Sequence, residues 1–237
     1  MLFAVGSLSG APGASSLARG LVAVWPSTTA HRVVVEMDPD GGRLAAQLGL
    51  TSEHGVGALA SRTRSGGFTV ADVLASSSPV GEWSVVCGPP AMDEAASVSG
   101  FVAQRLGHAL HADRDGWWVI DAGRLTQRSP VTALVPVADE TLLVSSGLAP
   151  DLMLVPARVD ALRATGANVS LVIVGSSVWP AAEISAFAEC DVLAVLPRVR
   201  SVPSDVMMSA RVWRPWWSSV AALADVLTAR VGQGATR

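Results

Sequence analysis

Leu2-Phe3-Ala4-Val5-Gly6-Ser7-Leu8-Ser9-Gly10-Ala11-Pro12-Gly13-Ala14-Ser15-Ser16-Leu17 reads as a buried strand, a glycine-rich turn and the opening of a helix. Glycines let backbone N–H groups turn toward one point, and a helix N-terminus adds roughly half a positive charge, so such a turn suits an anion without any cationic side chain. Working outward, short valine-rich runs recur between longer helix-like segments, the pattern of strands buried on both faces of a parallel sheet. Strands are predicted at Leu2–Gly6, Arg32–Met37, Ser84–Gly88, Trp117–Asp121, Thr141–Ser145, Val169–Val174 and Val192–Leu196. Helices are predicted at Ser15–Val24, Gly41–Leu48, Met92–Leu110, Ala149–Thr165, Ala181–Ala188 and Trp216–Val231. Right-handed crossovers turn this alternation into a doubly wound α/β fold, a mostly parallel sheet of about seven strands flanked by helices. Its ligand site lies outside the carboxyl ends of the strands. The stretch from Thr51 to Val80 reads as an irregular excursion, and residues 1–237 as one domain closed by the 216–231 helix.

Composition narrows the function classes. Of 237 residues half are apolar and 16% charged, which excludes a disordered, collagen-like or disulfide-framework chain. The net charge of −3 argues against a protein whose affinity comes from neutralising nucleic-acid phosphates. All seventeen basic residues are arginine, so chemistry that needs an ε-amino group is closed to this chain and to its homo-oligomers. Cys87 and Cys190 sit far apart in apolar runs and read as reduced core thiols of a cytoplasmic protein. The first residues read as a strand rather than a signal peptide, and no apolar run approaches the roughly 20 residues of a membrane span.

On the phosphate-loop pattern G-x-x-x-x-G-K-[ST], Gly13 takes the second glycine and Ser15 the metal-binding hydroxyl, while Ala14 stands at the lysine and Leu8 at the leading glycine. A nucleophile elbow would need serine at Leu8. Further on, Val33-Val34-Val35-Glu36-Met37-Asp38-Pro39-Asp40-Gly41-Gly42 carries two acidic positions at a strand end, and Trp117-Trp118-Val119-Ile120-Asp121-Ala122-Gly123 ends another strand in an acid.

In order and spacing over about residues 1–200, these segments resemble the ParA/MinD family of deviant-phosphate-loop ATPases, a P-loop NTPase-like group. The runs 138–144 and Val192–Pro197 are similar to the family's later strands, the second leading to the adenine-side loop. Gly-Ala-Pro-Gly in place of a lysine-bearing loop, Glu-Met-Asp-Pro-Asp-Gly-Gly, Cys87-Gly88-Pro89-Pro90 and Trp179-Pro180-Ala181-Ala182-Glu183-Ile184 look like actinobacterial MinD-like proteins similar to TadZ/CpaE, which position pilus or secretion assemblies. The resemblance implies ATP or ADP with Mg²⁺ as cofactor, held by Gly10, Ala11, Pro12, Gly13, Ala14, Ser15, Ser16 and Pro197. It implies Ser15, Asp38 and Asp121 as metal ligands and Asp38 as a catalytic residue. It also implies a homodimer, a pilus or secretion ATPase or polar scaffold as partner, and peripheral membrane contact at most.

The departures bear on activity. The family's two lysines, one reaching across a dimer and one contacting the β- and γ-phosphates, are here Ser9 and Ala14. Loss of one charge-assisted bond weakens binding about ten- to a hundredfold, and catalysis suffers more. Arg19, Arg43 and Arg124 are the arginines placed to compensate. Three readings stand: a scaffold with little or no hydrolysis, an active ATPase switch for partitioning or positioning, and a nucleic-acid-binding partition protein, which the acidic balance disfavours. If the loop binds nothing, Ser15 is merely a helix N-terminal residue and Asp38 caps the helix near Gly41. His108 and His111 lie one helical turn apart without a third ligand and read as surface groups. Gly175-Ser176-Ser177-Val178 offers no carboxylate or amide to a base, and Pro197-Arg198-Val199-Arg200 reads either as a ligand rim or as a solvated face. Trp216–Val231 has Arg230 as its one cation, so docking onto its own domain is the first reading, ahead of a partner or membrane surface.

Overall fold

The strand that opens the chain, β1 (Leu2–Ser7), is buried along its whole length because apolar side chains leave it on both faces. Phe3 and Val5 enter one apolar layer while Leu2 and Ala4 enter the other. The same two-residue alternation sends Val34 and Val119 to the first layer and Val33, Val35, Trp118 and Ile120 to the second. The computed structural model describes residues 1–10, 13–25, 30–51, 54–62, 67–199 and 214–234.

After β1 the chain runs α1 (Ala14–Val24), β2 (His31–Glu36), α2 (Leu44–Leu48), α3 (Val56–Arg62), α4 (Val70–Ala75), β3 (Ser78–Val80), β4 (Trp83–Val86), α5 (Met92–Ala112) and β5 (Gly116–Arg124). A 3-10 turn over Pro130–Val137 precedes β6 (Glu140–Ser146), α6 (Ala149–Leu152), α7 (Val155–Arg163), β7 (Val169–Val174), α8 (Ala181–Ala188), β8 (Val192–Leu196) and α9 (Arg214–Gly234). The eight strands form one sheet in the order β3-β4-β2-β5-β1-β6-β7-β8, parallel throughout except for β3 against β4. Helices α1, α2 and α9 cover one face, and α3 to α8 with the 3-10 turn cover the other.

The doubly wound sheet expected from the valine runs is therefore present, with one strand more. β3 escaped the hydrophobic pattern because it is three residues long and holds Pro79, which an antiparallel edge position tolerates. The excursion at 51–80 contains α3 and α4 as well, the latter fixed by a capping box between Thr69 and Asp72. The helix expected over Ala149–Thr165 is two helices, each with a proline in its first turn, Pro150 and Pro156. α2 starts at Leu44 rather than Gly41, for a reason that lies in the site.

α9 docks on the domain itself. Trp216, Trp217, Val220, Leu223, Ala224 and Leu227 are buried against α1 and β8. At the other end of the seam Phe3, Trp25 and Trp117 stack with centroids 4.3–5.9 Å apart, and Trp25 Nε1 donates to Thr228 Oγ1 at 3.4 Å. No helix among the described residues is long and apolar enough to cross a membrane.

Candidate functional site

The turn after β1 leads into α1, whose first amides have no hydrogen-bond partner among the described residues. Gly13, the N-cap residue, takes a left-handed conformation, φ 101°, and offers no side chain to the helix amides. The first-turn N–H groups of Ala14, Ser15 and Ser16 have no intrahelical acceptors. With Gly10 and Gly13 these three residues line a cavity of about 540 Å³ at the carboxyl ends of the strands. Ala11 and Pro12, also expected here, lie outside the described residues.

Three acids approach the same place from β2 and β5. Glu36 ends β2, 2% exposed, and both carboxylate oxygens are occupied: Oε1 accepts from the Arg43 and Leu44 N–H at 2.6 and 3.0 Å, Oε2 from the Gly88 N–H at 2.9 Å. Burial pushes its pKa up and those three amides pull it back. Glu36 thus caps α2, where the sequence reading put Asp38, and this sets the start of α2 at Leu44. Asp38 instead accepts the Asp40 N–H on Oδ1 at 2.9 Å, closing a turn of its own. Its carboxyl is half-buried, raised by burial, and lowered by that N–H and the fields of Arg43 and Arg124.

Asp121 stands inside β5, opposite Glu36 in register, with no exposed surface. Oδ1 accepts the Gly123 N–H at 3.3 Å, and among the described residues Oδ2 has no hydrogen-bond partner within bonding distance. Burial above all, then the charges of Glu36 and Asp38, push its pKa up to about 7 against the pull of the Ser15 hydroxyl and the Gly123 amide. Ser15 and Asp38 line the cavity and Asp121 lies directly behind that wall, so the fold brings the three expected metal ligands together. Gly123 makes this possible. Its φ is +59°, and a Cβ there would fall on Asp38 Oδ1.

Among the arginines, Arg43 and Arg124 line the cavity, whereas Arg19 is buried in α1 and does not. Arg198, weighed in the sequence as either a rim or a solvated group, lines it too, beside Leu196, Val199 and Val174. Pro197 is exposed next to them. Trp216 of α9 closes that side, a contribution no local motif announces. Of the two lysine positions, Ala14 carries no polar group, and the Ser9 hydroxyl donates to Asp151 Oδ1 at 2.8 Å within the same chain. His111 pairs with Asp139 at 3.6 Å, and Asp139 also accepts the Leu2 N–H, which places that pair at the amino ends of the strands, away from the cavity.

The donor set fits a magnesium nucleotide. First-turn amides and arginines suit phosphate, one hydroxyl and two carboxylates suit Mg²⁺, and Asp121 Oδ2 is a buried oxygen beside Ser15 with no partner at bonding distance among the described residues. The volume is within the range of small-molecule sites.

A helix N-terminus facing acids from two strand ends, on a mostly parallel sheet flanked by helices, is the α/β architecture seen in MinD and ParA structures. Among solved structures the chain is similar to the cell division ATPase MinD of Pyrococcus furiosus, at 16% identity and TM-score 0.75 over 96% of this chain and 98% of that one. It is also similar to the septum site-determining protein MinD of Pyrococcus horikoshii complexed with Mg-ADP (15%, 0.66, 96% of each chain). A ParA family ATPase from Chlorobium tepidum aligns at 12% identity and TM-score 0.69 over 97% and 98% of the two chains. At these identities the likeness establishes the fold. No protein-family profile matches the chain, and no curated protein does.

Proposed function

We propose that this chain is a MinD/ParA-like scaffold or localisation factor that binds ATP or ADP with Mg²⁺ and hydrolyses it slowly or not at all. In this reading it acts as a homodimer in the bacterial cytoplasm, positions a pilus or secretion apparatus as TadZ/CpaE-like proteins do, and takes the apparatus ATPase or a polar scaffold as partner. The observation that carries it is an α1 N-terminus opening into a cavity of about 540 Å³, with Ser9 and Ala14 at the two lysine positions in a chain without lysine. Ser15, Asp38 and Asp121 would hold Mg²⁺, which neutralises phosphate charge when bound. Amides at the α1 N-terminus bind phosphate in the ground state, whereas phosphoryl transfer needs cations at the developing charge. Exposed Leu148, Met153, Leu154, Val178 and Trp179 around the β6 and β7 ends support a protein partner.

The alternative, an active switch for partitioning or positioning, draws support from Arg43 and Arg124 at the cavity. A thermal-shift titration with Mg-ATP and Mg-ADP beside a phosphate-release assay separates the two. The scaffold reading expects a raised midpoint with both nucleotides and release at background rate. Turnover that Asp38→Ala abolishes would reject it in favour of the switch.

A further inference from the structure

We propose that Arg124 supplies the phosphate-binding cation that the loop itself lacks; this rests on reading the cavity as a nucleotide site. Strict alternation along β5 would send Arg124 the way of Trp118, Ile120 and Ala122, into the layer under α5. The register shows why it does not. Val5 of β1 faces Asp121 while Ser7 faces Arg124, so β5 carries one extra residue between them. Such a bulge re-aims the side chain that follows it, and Gly123 at φ +59° supplies the backbone. Arg124 comes out on the α1 side of the sheet instead.

Its guanidinium then lies on the loop. Nη2 stands 3.1 Å from the position that a Cβ would occupy on Gly10, so any other residue at Gly10 crowds it. Arg124 is exposed at the cavity wall, and its field lowers the Asp38 carboxyl. Yet among the described residues no acid lies within ion-pair distance of it, which leaves its fork of donors for a ligand. Asp38 and Asp40 line the same cavity and repel a metal-free polyphosphate, a repulsion that a cation on the wall offsets beyond the half charge of one helix terminus. Arg43, just ahead of α2, and Arg198, after β8, line other parts of the wall, and Arg19 is buried inside α1.

The test uses the full chain in isothermal titrations with Mg-ADP, inorganic pyrophosphate and adenosine. Arg124→Ala should weaken Mg-ADP and pyrophosphate about ten- to a hundredfold and leave adenosine unchanged. Arg124→Lys, which restores a point charge without the fork, should recover part of the loss. Arg128→Ala, an exposed arginine in the next loop, controls for net charge and should bind as wild type. Pyrophosphate affinity within twofold of wild type in Arg124→Ala, or a larger loss in Arg43→Ala or Arg198→Ala, overturns the assignment while leaving the nucleotide site standing. Wild-type protein that binds neither Mg-ADP nor pyrophosphate overturns both.

Discussion

Glu140 opens β6 with 7% of its surface exposed, and its Oε1 accepts the Ser170 hydroxyl at 2.7 Å. Burial pushes its pKa above 4.5, with Ser170 and the nearby Arg230 pulling it back and Asp191 pushing with burial. Because the folded value is the higher one, this group favours the folded state below the ordinary glutamate range. That contribution is lost as pH rises through the folded pKa, when the anion must be kept out of water. Glu140→Gln keeps an acceptor for Ser170 and removes the titration. Urea unfolding at pH 4 and pH 8 should show the variant gaining stability relative to wild type at the higher pH. A constant difference between the two would mean that Glu140 is as well solvated folded as unfolded. Residue-scale chemistry was only partly legible in the sequence. Ser15, Asp38 and Asp121 could be named as candidates because the segments that carry them resemble ParA/MinD ATPases in order and spacing. The capping role of Glu36 could not, since two of its three amide partners are seven and eight residues on and the third is in another strand's loop.

At the scale of elements, the seam between α1 and α9 decides how the site is walled. A Cβ on Gly20 would lie 2.5 Å from Trp216 Cη2 and 3.3 Å from Val220 Cγ1, so the two helices approach closely because this position is glycine. Gly20→Val should destabilise the protein by about 1–3 kcal/mol through overpacking, read as a lower urea midpoint. Because Trp216 also lines the cavity, its fluorescence maximum should move to the red in the folded variant. An unchanged midpoint and spectrum would show that α9 can slide on α1 without loss. The strands were legible because an apolar run buried on both faces is a strong pattern, and Val169–Val174 and Val192–Leu196 fall where the sequence put them. Boundaries governed by long-range contacts were not. Arg124 was one arginine among three by sequence position, and only the bulge in β5, a property of two paired strands, distinguishes it.

Over the whole molecule, burial falls from the middle of the sheet to its ends, and the order of strands makes this a prediction about opening. β1 is buried at every position and β5 at every position but Arg124, each paired on both sides. Their amides can exchange with solvent only when the entire sheet comes apart. β8 pairs with β7 alone among the described strands, and Val195 is 48% exposed. It is covered by α8, two turns long, and by α9, which meets the domain through one tryptophan-rich stripe. Such a flank opens without the centre, and sub-global openings of this kind carry less free energy than unfolding. Native-state hydrogen exchange should therefore show β8 and α9 amides exchanging about tenfold or more faster than those of β1 and β5, with the β8 rates rising less steeply with urea than the β1 rates. Since Leu196, Arg198 and Trp216 form one wall of the cavity, the same opening exposes the site, and Mg-ADP should slow exchange in β8 and α9 before it affects β1. Equal rates across all eight strands would show instead that the sheet opens as one cooperative unit, with the cavity wall as stable as the core.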